Sequence, residues 1–130
     1  MVTLNIRTEK RCALVDITRQ VREAVRTSGA ASGAAFVYSP HTTCGVTINE
    51  NADPDVVRDV LFALDRMAPN QGFYHSEGNS DAHTKAALVG FSQMIPVENG
   101  NLVLGTWQSV YLAEFDGPHV RKVHVQVLRG

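Results

Sequence analysis

His41-Thr42-Thr43-Cys44-Gly45-Val46-Thr47-Ile48-Asn49-Glu50-Asn51-Ala52-Asp53-Pro54 reads as a strand that runs directly into a helix start. Val46 and Ile48 alternate with Thr47 and Asn49, the period-two pattern of a half-buried strand, so Asn49, Asn51 and Asp53 tend toward the opposite face. One imidazole, two carboxylates, two carboxamides and three hydroxyls crowd this stretch, too polar a set for ordinary core. Asp53-Pro54-Asp55 then supplies a capping carboxylate, a proline at the first helical position and an acid in the first turn. Val56, Val57, Val60, Leu61, Leu64 and Met67 make the apolar stripe of that helix, and Pro69 ends it.

Working toward the N-terminus, Ala34 to Tyr38 is a short apolar run that suits a buried strand and stops at Pro40, which puts His41 at a strand end. Thr18 is placed to cap a helix running to about Ser28, with Val21, Ala24 and Val25 on one face and Gly29 closing it. Val2, Leu4 and Ile6 alternate, and Cys12 to Ile17 forms a second apolar run beyond a polar turn at Glu9-Lys10. A β-hairpin is therefore expected to open the fold.

Toward the C-terminus, Asn70 to Gly78, including His75, reads as an irregular loop of the kind that borders sites. Ser80 or Asp81 can cap a short helix through Val89 that Gly90 closes. The remainder is strand: Gln93 to Val97, a turn at Asn99-Gly100, Asn101 to Leu104, Trp107 to Phe115, and a last strand in which Val123, Val125 and Val127 alternate with Lys122, His124 and Gln126. About eight strands, two longer helices and one short helix predict an α+β domain of mostly antiparallel, sandwich-like sheets. So many sheet edges in a small chain favour a homo-oligomer.

The 130 residues fit a single domain, residues 1–130, that needs no disulfide to hold a core. A formal charge of -1 argues against a duplex-binding surface, so no nucleic-acid partner is expected. The alternating N-terminus has no apolar core of a signal peptide, and no apolar run reaches membrane-spanning length, which predicts a cytoplasmic protein with no membrane partner. Cys12 and Cys44 lack metal or redox spacing and read as reduced thiols, although Cys44 beside His41 is also a candidate nucleophile.

His41 and His83, with Asp53 and Asp81, offer the imidazole and carboxylate ligands of a divalent metal ion. The same residues have plainer readings: Asp53 as a helix cap, Asp81 as a cap or the i,i+4 partner of Lys85, His41 as a strand-end hydrogen bond. Gly78-Asn79-Ser80-Asp81-Ala82-His83-Thr84-Lys85 sets backbone N–H groups and a lysine at a helix start, an arrangement suited to phosphate. Trp107 beside Gln108 can stack on and read a heterocycle, or serve as a core or interface indole. His124 faces with Lys122 and Gln126 and reads as solvated or interfacial.

Three blocks taken together, HTTxGVTINENADP, GNSDAHxKxxLxG and GTWQ followed by Glu-Phe-Asp-Gly-Pro, resemble the YjbQ family over almost the whole chain. The resemblance implies a β-sandwich-like α+β fold, assembly as a homotrimer with the polar motif residues near subunit boundaries, and a secondary thiamine-phosphate synthase type of activity on small phosphorylated metabolites. It implies catalytic roles for Glu50, Lys85 and Glu114, and substrate contacts from Asn49, Asn51, Asn79, Trp107, Gln108 and Arg121. It implies a metal, zinc or magnesium, on His41, His83, Asp53 and Asp81. A metal-dependent phosphate-ester hydrolase and a non-catalytic metal- or anion-binding trimer fit the same residues. One departure is His119, where members often carry arginine after Gly-Pro; a neutral imidazole holds phosphate less firmly.

Overall fold

The computed structural model describes residues 1–74 and 78–130, so His75 lies outside the described residues. Their elements run β1 (Val2–Arg7), β2 (Ala13–Asp16), α1 (Thr18–Ser28), β3 (Ser32–Tyr38), β4 (Cys44–Glu50), α2 (Pro54–Met67), α3 (Ser80–Val89), β5 (Ser92–Glu98), β6 (Asn101–Leu102), β7 (Gln108–Glu114) and β8 (Val120–Arg129). The strands sort into a five-stranded sheet, β1-β8-β3-β5-β6, and a three-stranded sheet, β2-β7-β4, with every pairing antiparallel.

The expected opening hairpin does not form. β1 pairs with β8 and β2 with β7, so the chain changes sheets between its first two strands. It changes back between β7 and β8, and the two crossings are tied together at one corner. The Thr8 amide donates to the His119 carbonyl at 2.8 Å and the Gly117 amide to the Arg11 carbonyl at 3.0 Å. Alternation fixed which side chains share a face, but two strands adjacent in sequence can each find a better-matched partner far away.

Alternation decides the layers. Val110 and Leu112 of β7 face the large sheet, where they pack with Val46, Ile95, Val97, Val123 and Val125 over the buried face of α1. Ala113 faces the other way, and with Phe115 just beyond β7 it meets Ala82 and Ala86 of α3 and Leu61 and Leu64 of α2. The small sheet is thus covered on both faces, which is why β7 is buried along almost its whole length. α3 comes so close to β4 that a Cβ on Gly45 would overlap the Gly90 carbonyl oxygen, the same oxygen that accepts the Val46 amide at 3.0 Å.

Helix ends follow the sequence in part. Asp53 caps α2, accepting the Asp55 amide at 2.9 Å, and Gly29 closes α1 in the left-handed conformation. Thr18 is the first helical residue of α1 and not its cap; the Asp16 carboxylate takes its amide and hydroxyl at 2.9 and 2.6 Å. Neither Ser80 nor Asp81 caps α3, whose N-cap is Asn79. The apolar stripe of α2 packs less deeply than its pattern implies, with no residue of that helix fully buried. Asn99 and Gly100, both at positive φ, turn β5 into β6, but β6 stops at Leu102, and Trp107 sits in a turn before β7. No helix among the described residues is long and apolar enough to cross a membrane.

Candidate functional site

The sheet-crossing corner holds a buried charge pair. Glu114 ends β7 on the face turned toward the large sheet, and Arg121 near the start of β8 faces it from that sheet. Arg121 Nε donates to Glu114 Oε1 at 2.8 Å, while its Nη2 reaches both Glu114 Oε2 at 2.5 Å and Thr43 Oγ1 at 2.8 Å. The Thr8 hydroxyl and the amides of Phe115 and Asp116 complete the carboxylate's shell. Burial alone would raise the Glu114 carboxyl; the bonds from Arg121, Thr8 and the Asp116 amide outweigh it and hold the group below the usual carboxylate range.

His41 stands at the rim of this corner for a reason visible in the ladder. Tyr38 lies opposite His124, so Lys122 lies opposite position 40, where the chain has already turned at Pro40. His41 Nε2 takes the place of the missing carbonyl, accepting the Lys122 amide at 2.9 Å. An imidazolium has no lone pair for that bond, so the ring is the neutral form with its proton on Nδ1. Burial, then the Arg121 charge, lowers its tendency to protonate. Such a histidine stabilises the fold fully above its ordinary range near pH 6.5, and that contribution drains away as pH falls and the unfolded chain takes up the proton first. The loss of thermal stability between about pH 7 and 5 should be shallower in His41→Gln, whose carboxamide oxygen can accept the same amide whatever the pH. Equal slopes in calorimetric scans of the two proteins would contradict this.

A second charged group lies behind the small sheet. Asp81, fully buried, receives Arg11 through both guanidinium ends at 2.9 and 3.0 Å, and Lys85 Nζ at 3.4 Å; Lys85, only 1% exposed, also donates to Asp65 at 3.0 Å. The Arg11 bond, against burial, holds the Asp81 carboxyl below its ordinary value. Asn79 Nδ2 bonds Asp116 at 2.9 Å, and the amides of Gly117 and Asp116 link this group to the corner through Arg11 and Glu114. Asn79 Oδ1 is buried and accepts nothing from the described residues.

The remaining candidates lie elsewhere. Cys44 pairs across the ladder with Glu114, and Glu50 pairs with Gln108 at the opposite end, roughly 20 Å away at about 3.3 Å per residue. At that far end the Asn49 side chain bonds the Glu50 amide, Asn51 Nδ2 the Gln108 carbonyl, and Gln108 Oε1 the Gly105 amide, while Trp107 is 62% exposed. One chain therefore separates Glu50, Trp107 and Gln108 from Glu114 and Arg121. No three His, Cys, Asp or Glu side chains among the described residues are placed to hold a metal ion. His41 Nε2 and both oxygens of Asp81 are engaged, and Asp53 caps a helix, so these residues do not fit a metal cage within one chain. The Cys44 thiol bonds Ser39 at 3.4 Å and burial pushes its pKa up, the reverse of a nucleophile's environment. His124 bonds Thr3 and stacks on Tyr38 on the outer face of the large sheet. Thr8 and Arg11, which flank the turn expected at Glu9-Lys10, and Asp65 of α2 are not among the residues the sequence singles out.

Fold and site together define an α+β domain whose two antiparallel sheets meet at a charged corner. The chain belongs to the UPF0047 protein YjbQ-like family, whose profile matches residues 2–130. It is 50% identical to UPF0047 protein YugU of Bacillus subtilis over 97% of both chains. It is also 50% identical to UPF0047 protein MJ1081 of Methanocaldococcus jannaschii, covering 95% of this chain and 90% of that one. Among solved structures, a YjbQ/UPF0047 family protein from Clostridium acetobutylicum superposes with a TM-score of 0.96 at 52% identity, covering 98% of this chain and 100% of that one. The conserved hypothetical protein TT1486 of Thermus thermophilus gives 0.92 at 44% identity over 98% and 100%. These names state a family and no reaction.

Proposed function

We propose that the chain is an enzyme of small phosphorylated metabolites whose phosphate-binding end is the sheet-crossing corner. The observation that carries this reading is the spare Nδ1–H of half-buried His41, bonded to no described residue and within electrostatic reach of the Arg121–Glu114 pair. A neutral N–H donor beside the Arg121 guanidinium can donate to an anionic oxygen without changing its own protonation state. The reaction class, following the family resemblance, is thiamine-phosphate synthesis: the thiazole nitrogen attacks the pyrimidine methylene carbon, the carbon–oxygen bond to diphosphate breaks, and diphosphate leaves with the bonding pair. The corner's part is to hold the departing anion. Trp107, Gln108 and Glu50 lie too far along the ladder to read the ring of the same molecule, so this reading takes them from a neighbouring copy in a homotrimer.

The test is turnover of hydroxymethylpyrimidine diphosphate with thiazole phosphate by purified protein, beside a panel of phosphate esters. Thiamine phosphate should form, with kcat falling about tenfold or more in His41→Phe and in Trp107→Ala. Prior dialysis against a chelator should leave the melting temperature unchanged. Release of phosphate from esters without condensation would assign a hydrolase instead, and no turnover with either set would remove the enzymatic reading.

A further inference from the structure

The sheet edges are unequally defended. β2 is four residues long and has α2 beside it, β6 is two residues long, and β4 is capped by the Gly90 carbonyl and by Gln93, whose Nε2 donates to the Val46 carbonyl at 3.0 Å. β1 has six residues, no proline, no bulge and no inward-pointing charge, the devices that blunt an edge. Among the described residues its only strand partner is β8. The Thr8 amide bonds the His119 carbonyl, so the hydrogen-bonded rungs fall on Ile6 and Leu4, which turns the backbone groups of Thr3, Asn5 and Arg7 to the open side.

Beside this edge runs a hollow of about 620 Å³ lined by Leu4, Arg19, Gln20, Glu23 and Arg26. A second, of about 470 Å³, shares Arg19 and Gln20 and adds Arg22, Asp16 and Thr18. Leu4 points to the inner face of the large sheet, so a strand added alongside β1 would direct every second side chain over the α1 arginines. Arg26 has an exposed partner in Glu23 at 2.6 Å, with both side chains about two-thirds exposed; Arg19 has no carboxylate partner among the described residues. A second copy of β1, Val-Thr-Leu-Asn-Ile-Arg, brings no acid to that position and would set one arginine stripe against another.

We infer that the β1 edge and the arginine face of α1 form a docking groove for an extended segment of a partner protein that carries glutamate or aspartate at alternate positions and binds by strand addition. Main-chain bonds to Thr3, Asn5 and Arg7 supply the affinity, and Arg19, Arg22 and Arg26 select the acidic face.

A fluorescent peptide of about nine residues alternating glutamate and threonine tests this by anisotropy against the intact protein. It should bind, and the double variant Arg19→Glu, Arg26→Glu should weaken binding about tenfold or more. Asn5→Pro should abolish it while leaving the melting temperature close to that of the parent, because the lost N–H faces away from β8. The same peptide N-methylated on alternate amides repeats that test on the unaltered protein and should fail to bind. Three outcomes would overturn the inference: no binding by the parent peptide, equal binding by the N-methylated or a sequence-shuffled peptide, or self-association of the protein that Asn5→Pro abolishes and the peptide cannot displace.

Discussion

Arg121→Ala is expected to lower the melting temperature by about 10–20 °C. Removing the guanidinium strands a fully buried Glu114 carboxylate with only the Thr8 hydroxyl and two amides, and breaking a buried pair from one side costs about 3–5 kcal/mol. The sign of the companion experiment is what tells the cause. In the double variant Arg121→Met, Glu114→Leu the stranded charge is gone, and most of the stability should return. If the double variant melts as low as the single one, the loss stems from Thr43 and the packing of the aliphatic stem.

Gly117→Ala is expected to cost about 2–4 kcal/mol in urea unfolding. A Cβ there would overlap the Lys10 carbonyl oxygen and press on Thr8 Oγ1 and Glu114 Cγ, so backbone, hydroxyl and charge pair would all have to give. Gly105→Ala is the internal control. Its Cβ would first meet the flexible Gln108 side chain at 3.4 Å, and the change should stay within about 0.5 kcal/mol. Equal costs at the two positions would contradict the proposed crowding at the corner.

Local periodicity made most elements legible. Val46/Ile48 and Val123/Val125 alternate as their faces do, and Asp53-Pro54 and Gly29 mark helix ends because capping chemistry acts within a few residues. Pairing was not legible. Nothing in Glu9-Lys10 distinguishes a hairpin turn from a sheet-changing crossing, since the deciding bonds come from His119 and Gly117, more than a hundred residues on. The candidate residues split for the same reason. His41 and Glu114 are carried to one corner by the register of β3, β4 and β7, whereas Glu50, nine positions beyond His41, travels to the far end of its strand. Arg11 and Thr8 carried no local signal because their partners, Asp81 and Glu114, belong to elements made later.

The pairing of β1 with β8 also has a temporal side. During synthesis β1 emerges first, and the strand that must lie between it and β3 emerges after every other element. The small sheet likewise waits for β7 to join β2 and β4, and Ile6 and Val37 stay without their intervening strand until β8 arrives. Closure of the larger sheet therefore waits on β8, and a chain truncated before Val120 is expected to leave the inner faces of β1 and β3 wet and to aggregate.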